Sequence, residues 1–252
     1  MQIPTYNENR MEIDKIYNID CLEGMKHIPD GSIDAIICDL PYGTTANKWD
    51  SIIPLDQLWA QYKRIIKRGA PIVLFAQQPF ASVLGMSNIA WFKYEWIWEK
   101  DNSTGFLHAN QMPLKIHENI LVFYKELPTY NPQGVVANKR KVRRGHLGDN
   151  YLHSTSDEYQ SEFENYPKDM LQFAKDADSF HPTQKPVDLL RYLIRTYSNE
   201  GDTILDNCMG SGTTAVACIK EKRHFIGFEL NKEYYDKACK RIDAERRQLS
   251  LF

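Results

Sequence analysis

Residues 39–42 place a carboxylate, a proline-stiffened turn and an aromatic ring directly after an apolar run. Such a run is typical of a buried strand, and an open α/β sheet carries its chemistry at the carboxyl ends of its strands. Asp39 and the main-chain carbonyl of Leu40 could accept the two N–H bonds of an exocyclic amine, while Pro41 stiffens the turn. Tyr42 could stack on a base taken out of a duplex. The nitrogen lone pair of the amine would then face an electrophile. Transfer of a group from that electrophile to the nitrogen needs positioning of the two reactants rather than a metal.

A second segment, residues 203–214, leads from a strand into a helix through Gly210 and Gly212. Glycines allow the backbone to approach a ligand closely, and Glu229 at the end of the next strand could accept both hydroxyls of a ribose. This arrangement is typical of adenosine binding, and both S-adenosylmethionine and a nicotinamide dinucleotide would satisfy it. Asp206 beside the turn would repel a pyrophosphate and suits the cationic amino group of a methionine moiety, which favours S-adenosylmethionine.

Each segment alone also fits a purely structural interpretation. Asp39 could end a strand and cap a turn with Tyr42 in the core, and the glycines could open a helix without a ligand. The presence of both segments in one chain, each at a strand end, argues against coincidence and favours a shared site.

A sheet must position these segments, and the sequence alternates short apolar runs with stretches of helical period, the pattern of a mostly parallel sheet flanked by helices. Helices are predicted to begin at Pro54, at Pro186, near Gly212 and after Asn231 as N-cap. The predicted strands are 33–40, 71–76, 94–99, 119–124, 202–206 and 224–229.

The periodicity disappears between these two sets of elements for about 55 residues, which is too long for an ordinary loop and indicates an inserted functional element. The sequence therefore predicts one domain in two halves, residues 1–125 and 181–252, separated by an insertion at 126–180. The insertion contains a basic stretch at 139–144, and eight acidic residues follow it between 147 and 180. The basic side chains that could neutralise phosphates are Lys139, Arg140, Lys141, Arg143 and Arg144. The alternative is a solvated basic stretch balanced by those acids.

The composition sets the class of protein. With 252 residues, 42% of them hydrophobic, the chain suits one main domain with an insertion. A net charge of −2 gives no overall basic signature, so any contact with a polyanion must come from local clustering. No apolar run approaches the roughly 18 residues of a membrane span, and no secretory signal is present, so we expect a cytoplasmic protein. Spacing predicts reduced thiols and no metal site for the five cysteines, Cys21, Cys38, Cys208, Cys218 and Cys239.

The order of the motifs resembles the beta class of amino DNA methyltransferases, in which the catalytic motif precedes the cofactor motif. Residues 39–42 resemble the family's Asp-Pro-Pro-Tyr motif and 205–214 its cofactor loop. Residues 181–186 are similar to the segment that helps to bind the methionine end, 226–231 to the ribose-binding strand, and 17–22 to an N-terminal cofactor segment. The resemblance, which covers about residues 13–242, implies the following cofactor-binding residues: Asp20, Cys21, Lys185, Asp206, Cys208, Gly210, Ser211, Gly212, Thr213 and Glu229.

This resemblance implies a Rossmann-like S-adenosylmethionine-dependent methyltransferase fold with an inserted target-recognition region. It implies a bacterial or phage-encoded enzyme that flips an adenine from double-stranded DNA and methylates N6, because an Asp at position 39 goes with adenine in this family and a Ser with cytosine. A homodimer and a cognate restriction endonuclease are left open as partners. The alternatives within the same fold are cytosine N4 methylation and methylation of RNA or of a protein amide.

Two departures from the family motifs motivate a further alternative. Leu40 replaces the first proline of the catalytic motif, which leaves the required carbonyl in place but constrains the backbone less. Asn207 and Cys208 replace the Pro-Phe pair of the cofactor loop, and we expect an altered affinity for S-adenosylmethionine. A DNA-binding partner or regulator that has lost turnover would also fit these substitutions.

Overall fold

The computed structural model of the chain describes residues 11–43, 51–138, 162–176 and 183–249. The α-helices of the described residues are α1 (Cys21–Met25), α2 (Leu55–Ile65), α3 (Phe80–Ser87), α4 (Val187–Tyr197), α5 (Thr213–Lys220) and α6 (Lys232–Leu249). The strands are β1 (Lys15–Tyr17), β2 (Ala35–Asp39), β3 (Ile72–Ala76), β4 (Phe92–Thr104), β5 (Lys115–Phe123), β6 (Val136–Ala137), β7 (Phe163–Glu164), β8 (Met170–Gln172), β9 (Thr203–Asp206) and β10 (His224–Phe228).

Eight strands form one sheet in the order β1-β10-β9-β2-β3-β5-β4-β8. The strand β5 is antiparallel to both of its neighbours, and every other pair in this sheet is parallel. The predicted α/β class with a mostly parallel sheet is therefore confirmed. The reversed strand β5 follows from its connection, because β4 and β5 are joined as a hairpin.

Helices cover both faces of this sheet, as its continuous apolar strands require. Alternate residues of β2 show the division, since Ile37 packs in the cluster that includes residues of α4, α5 and α6, whereas Ile36 packs with α1, α2 and α3. Trp96 and Trp98 are 3% and 1% exposed in the first cluster, so both indole rings lie in the core.

Local signals explain where several helices begin. Asn231 caps α6 as predicted, because its Oδ1 accepts the backbone N–H groups of Glu233 and Tyr234. Pro54 is the N-cap of α2 rather than its first helical residue, a shift of one position from the prediction. None of the helices in the described ranges is long and apolar enough to cross a membrane.

The carboxyl ends of β2 and β9 lie side by side, because Ala35 is in register with Ile204 and Ile36 with Leu205. From this pair the chain order runs outward in both directions, to β3 on one side and to β10 on the other. Such a switch point leaves a crevice at the carboxyl ends of the two central strands, where open α/β sheets bind ligands.

Residues 169–172, inside the predicted insertion 126–180, belong to the main sheet, where β8 pairs with β4. The compact unit that separates from the main one is Pro132–Lys168. In its described part, β6 pairs with β7, and Asn165 Nδ2 donates to the carbonyl oxygen of Gly134 at 2.7 Å.

Candidate functional site

A cavity of about 490 Å³ opens at the carboxyl ends of the central strands. Three acidic residues that end strands or directly follow them line it, namely Asp39 of β2, Asp206 of β9 and Glu229 after β10. The volume is within the range of roughly 300–1,000 Å³ that small-molecule sites occupy. The structure thus brings the two segments singled out in the sequence to one cavity.

The segment after β2 presents its carboxylate with both oxygens bound. Tyr42 donates its hydroxyl to Asp39 Oδ1 at 2.6 Å, and Lys185 Nζ donates to Asp39 Oδ2 at 2.6 Å. The Tyr42 ring stacks on Phe80 with ring centroids 5.7 Å apart. Each carboxylate oxygen has a second lone pair, so Asp39 retains the capacity to accept a further N–H bond.

Burial raises the pKa of Asp39, since a charged carboxylate is poorly solvated at the base of the cavity, whereas the ammonium group of Lys185 lowers it. Leu40 is only 3% exposed and packs in the core, so the residue that replaces proline here is held by packing. Pro41 and Leu40 both line the cavity.

The glycine turn after β9 requires left-handed backbone at two positions, φ 52° at Gly210 and φ 78° at Gly212. The backbone N–H of Gly210 donates to Glu229 Oε2 at 2.8 Å, and that of Asn231 donates to Glu229 Oε1 at 2.7 Å. Burial raises the pKa of Glu229. Glu229 is therefore fixed across the turn and still has acceptor sites for two hydroxyl groups.

Asp206 holds the first part of this turn. Its Oδ1 accepts the backbone N–H of Cys208 at 3.0 Å, and its Oδ2 accepts the Thr214 hydroxyl at 2.5 Å. Burial raises the pKa of Asp206 to about 6, although both hydrogen bonds oppose the shift. The side chain predicted to face a cationic amino group thus also ties the turn to α5.

Arg241 of α6 supports the turn from outside the cavity. Its Nη1 donates to the Thr213 hydroxyl at 2.9 Å and to the Ser211 carbonyl oxygen at 3.2 Å. Ser211 and Thr213 line the cavity, whereas Gly212 is outside its lining and packs against Ala238 of α6. Gly212, which was predicted to bind the cofactor, therefore lies outside the lining and bends the backbone between two lining residues.

The N-terminal segment contributes one wall. Asp20 is the N-cap of α1, and its Oδ1 accepts the backbone N–H groups of Leu22 and Glu23 at 2.9 and 3.2 Å. Asp20 and Cys21, which the resemblance assigns to the cofactor, line the cavity. The helix cap explains why the chain turns there, independently of any ligand.

The two residues that depart from the family's cofactor loop have different surroundings. Asn207 Oδ1 accepts the hydroxyl of Tyr62 at 2.5 Å, which anchors the turn to α2. Asn207 and Cys208 both line the cavity. The pKa of the Cys208 thiol is raised well above its usual value by hydrogen bonding to Cys21 and Cys38 and by burial, which keeps it protonated.

Lys185 was predicted to help bind the cofactor, and the structure places its ammonium group on the catalytic side of the cavity. Its Nζ lies 2.6 Å from Asp39 Oδ2 and 3.1 Å from Glu118 Oε2. Lys100 Nζ lies 2.5 Å from Glu118 Oε1. Lys185, Glu118 and Lys100 are all at most 8% exposed, and all three line the cavity.

Glu118 and Lys100 were missed in the sequence, although a signal exists. Lys100 occupies the same face of β4 as the buried Trp96 and Trp98, and Glu118 the same face of β5 as Ile120. A charged residue in the alternation of a core-facing strand must be paired, because an isolated buried charge is costly. That rule singles out both residues but not their partners.

The predicted phosphate-binding residues Lys139, Arg140, Lys141, Arg143 and Arg144 lie outside the described residues, as does the beginning of the segment 181–186. Their proposed contact with DNA remains a prediction from the sequence.

The cavity fits an adenosine with a cationic methionine end on the evidence of its donor and acceptor set. The paired glycine bends bring backbone within reach of a ligand, Glu229 offers carboxylate oxygens for a ribose, and Asp206 and Asp20 supply negative charge. Asp39 and Tyr42 lie in the same cavity, where a second ligand could meet the first.

Comparison with known proteins agrees with this geometry. A family model described as DNA methylase matches residues 33–240. The chain is 28% identical to the DNA adenine methyltransferase YhdJ of Escherichia coli K12, over 92% of the chain and 83% of that protein. It is 27% identical to the type II methyltransferase M.HindIII of Haemophilus influenzae, over 93% of the chain and 96% of that protein.

Solved structures of DNA methyltransferases match about nine-tenths of the chain, as the sequence relatives do. The complex of M1.HpyAVI with SAM has a TM-score of 0.62 and 25% identity, covering 90% of this chain and 98% of that one. The cytosine-N4-specific PvuII DNA methyltransferase has a TM-score of 0.67 and 16% identity, covering 91% of this chain and 86% of that one, so it shows the shared fold alone.

Proposed function

Because the chain belongs to the DNA methylase family, we propose that it transfers a methyl group from S-adenosylmethionine to N6 of an adenine flipped out of duplex DNA. The observation that carries this proposal is the single cavity shared by Asp39, Asp206 and Glu229. An acceptor for an amine and acceptors for a nucleoside therefore face the same space.

We assign the cofactor to the half of the cavity around the glycine turn. Glu229 accepts the ribose hydroxyls, Gly210 allows close approach of the backbone beside Ser211, and Asp206 or Asp20 attracts the amino group. When bound, S-adenosylmethionine supplies an electrophilic methyl group on a sulfonium. The shared fold with the SAM complex of M1.HpyAVI supports this assignment.

The catalytic segment orients the target amine. Asp39 accepts one N–H bond of the amine and the Leu40 carbonyl the other, so that the nitrogen lone pair leaves the plane of the base and faces the methyl group. The bound cofactor would supply the methyl group, with the new N–C bond replacing its S–C bond, and the amine would become cationic and strongly acidic. Its proton then leaves to water. Tyr42 stacks on the base while its hydroxyl holds Asp39.

Adenine is preferred over cytosine as the target. The residue at position 39 is Asp, and the relative from Escherichia coli is named as a DNA adenine methyltransferase. Cytosine N4 methylation uses the same geometry and is kept as an outcome of the test below.

We further propose that the basic residues 139–144 bind DNA phosphates and that the insertion 126–180 reads the target sequence. A homodimer and a cognate restriction endonuclease remain proposals, the latter supported by the similarity to type II methyltransferases. A cytoplasmic location is also a proposal, and the named relatives support a bacterial source, whereas a phage origin rests on the sequence resemblance alone.

The decisive experiment incubates the full-length protein with labelled S-adenosylmethionine and unmethylated DNA, with mixed-sequence RNA in parallel, and identifies labelled nucleosides by mass spectrometry. Label in N6-methyladenine from DNA is the expected result. Label in N4-methylcytosine would replace the base assignment, label in RNA alone would replace the substrate, and no label despite cofactor binding would indicate a regulator.

The role of Asp39 is tested in the same assay with Asp39→Asn. This change keeps the shape but converts a carboxylate into an amide with weaker acceptor strength, and we expect a fall in transfer of about 10³-fold. The dissociation constant for S-adenosylmethionine should change by less than about threefold, since the cofactor contacts are elsewhere. Asp188→Asn, at a side chain that is 71% exposed on α4, is the control. Near-full activity of Asp39→Asn would refute the assignment.

A further inference from the structure

Four charged side chains, three of them buried and Asp39 partly exposed, connect the catalytic strand to the β4–β5 hairpin. They alternate in sign along the path Asp39, Lys185, Glu118 and Lys100, with N–O distances of 2.6, 3.1 and 2.5 Å. Two acids and two bases leave this network neutral. A neutral network of this kind can be buried at lower cost than any of its members alone.

Lys185 is the member that contacts Asp39 directly, and Glu118 of the hairpin contacts the same ammonium group. Glu118 is in register with Trp98 across β4 and β5, and Lys100 Nζ lies 5.5 Å from the centre of the Trp98 ring. The ammonium group of Lys185 is therefore held between a carboxylate from the catalytic strand and one from a rigid sheet pair.

We propose that Lys185 is a positioning residue for methyl transfer, because its ammonium group, held by Glu118, which Lys100 binds in turn, fixes the ionised Asp39 carboxylate. This inference rests on the proposed function and assigns Lys185 a different role from the cofactor contact that the sequence resemblance implied. Glu118 and Lys100 acquire a role that no sequence motif indicated.

The charges around Asp39 explain why an ammonium group is needed there. Burial raises the pKa of Asp39, the negative charge of Glu118 raises it further, and Lys185 and the Tyr42 hydroxyl lower it. Asp206 on the neighbouring strand adds another carboxylate nearby. Without Lys185 the pKa of Asp39 would be higher, so the carboxyl group would already be protonated at a higher pH. A protonated oxygen is a donor and can no longer accept the N–H bond of the amine in the same way.

The negative charge of Glu118 attracts the ammonium group of Lys185 and repels the carboxylate of Asp39. Burial would raise the pKa of Glu118, but Lys185 and Lys100 lower it to about 2, so Glu118 is negative at neutral pH. Its charge retains the lysine and at the same time opposes ionisation of Asp39. Loss of the Lys185 charge and loss of the Glu118 charge should therefore move the pKa of Asp39 in opposite directions.

The test measures single-turnover methyl transfer against pH for Lys185→Met and Glu118→Gln. Asp39 works in its ionised form, so activity is lost as pH falls through its pKa. In Lys185→Met we expect the acid limb to move up by about one pH unit and the rate on that limb to fall up to about tenfold, with the deficit disappearing at high pH. In Glu118→Gln the acid limb should move down.

Two further variants separate charge from packing. Lys185→Arg retains the charge and should keep the acid limb within about half a unit of the wild type. Lys67→Met removes the lysine of another Lys–Asp pair, with Asp34 just before the same strand, and should leave the profile unchanged. An unmoved acid limb in Lys185→Met, or a loss of cofactor affinity alone, would overturn the inference.

A second measurement does not depend on activity. The carboxyl carbon of Asp39, assigned by its loss in Asp39→Asn, is titrated by NMR in the wild type and in Lys185→Met. A higher midpoint in the variant is expected, and an equal midpoint would overturn the inference. A wild type that transfers no methyl group would instead overturn the proposed function, so the two failures are distinguishable.

Discussion

Asp39 and Glu229 are both acidic residues at strand ends of the same cavity, yet their partners differ in kind. Asp39 is held by side chains, Tyr42 and Lys185, whereas Glu229 is held by two backbone N–H groups. Backbone donors fix a carboxylate without adding a formal charge beside it. Glu229 therefore remains a strong acceptor for the two neutral hydroxyls of a ribose. Asp39 instead has a charged partner, Lys185, and is proposed to face an amine that becomes cationic.

This difference predicts the effect of Glu229→Gln. A hydrogen bond to a charged group contributes about 1.5–3 kcal/mol, so we expect the dissociation constant for S-adenosylmethionine to rise about 10- to 100-fold. Because the pKa of Glu229 is raised, affinity in the wild type should also decrease as pH falls through that pKa. Transfer at saturating cofactor should change less than about threefold.

Isothermal titration of cofactor into both proteins measures this effect. Glu233→Gln is the control, because that side chain is 74% exposed in the first turn of α6. Equal affinities of Glu229→Gln and the wild type would show that the ribose is bound elsewhere.

At the scale of residues, the sequence predicted the parts of the site that follow strands directly. Asp39 and Glu229 could be found because each stands where an apolar run ends. Glu118 and Lys100 could not be assigned to the site, since their connection to Asp39 depends on how β5 and β4 are placed relative to β2. That placement comes from long-range pairing, which local patterns do not contain.

At the scale of elements, length explains only part of what could be predicted, because α3 and α5 both have eight residues and only α5 was predicted. The six predicted strands correspond to β2, β3, β4, β5, β9 and β10. The strands β1 and β8 have three residues each and α1 has five, too few for a period to show. Both short strands lie at the edges of the sheet, where pairing to a neighbour rather than local pattern determines the structure.

The junction between β9 and α5 gives a prediction about stability. Gly212 has φ 78°, and a Cβ there would lie 3.2 Å from the Cβ of Ala238 in α6. Gly201 has φ 84° with open space around its Cβ position. In both Gly→Ala variants the free energy of unfolding should fall by about 1–2 kcal/mol, because alanine is strained in the left-handed region. In Gly212→Ala it should fall by about 1 kcal/mol more, because the added methyl group overpacks against α6.

Urea unfolding of the two variants and the wild type measures both terms, with Gly201→Ala as the matched control. We also expect Gly212→Ala alone to weaken cofactor binding, because Ser211 and Thr213 on either side of it line the cavity. Equal destabilisation of the two variants would show that α6 yields to the added methyl group.

At the scale of the whole molecule, the formal charge of −2 conceals a local concentration of positive charge. Residues 139–144 contain five basic side chains in six positions. Attraction between such a stretch and DNA releases counterions, with each phosphate contact contributing about 0.9 to the slope of log affinity against log salt. If this stretch binds phosphates, the affinity for DNA should therefore fall steeply as the salt concentration rises.

Five Gln substitutions in the basic stretch should lower the slope of log DNA affinity against log salt by up to about 4.5. The substituted residues are Lys139, Arg140, Lys141, Arg143 and Arg144. Affinity for S-adenosylmethionine should not change. The measurement is fluorescence anisotropy of labelled duplex DNA at several salt concentrations. A control that replaces five other lysines with Gln gives the same change in net charge; we choose Lys63, Lys67, Lys93, Lys222 and Lys232. Equal slopes in the two variants would refute a specific role for the basic stretch.

The domain organisation was predictable only in outline. The loss of periodicity after Lys125 indicated an interruption of the sheet, but its end was placed at residue 180, whereas β8 already belongs to the main sheet at Met170. A three-residue strand in a polar and acidic context has no signal of its own. The role of the segment 126–180 in target recognition stays a prediction.

Both ends of the compact unit Pro132–Lys168 adjoin residues that are tied to the main unit. Asn131 donates its backbone N–H to the Thr196 carbonyl oxygen at 2.7 Å, and the Asp169 carbonyl oxygen accepts the N–H of Ile97 at 2.7 Å. If this unit reads the target sequence, descendants could exchange it as a cassette between two fixed junctions. New DNA sequences would then come under methylation by recombination of one short gene segment, while the reaction chemistry is inherited unchanged.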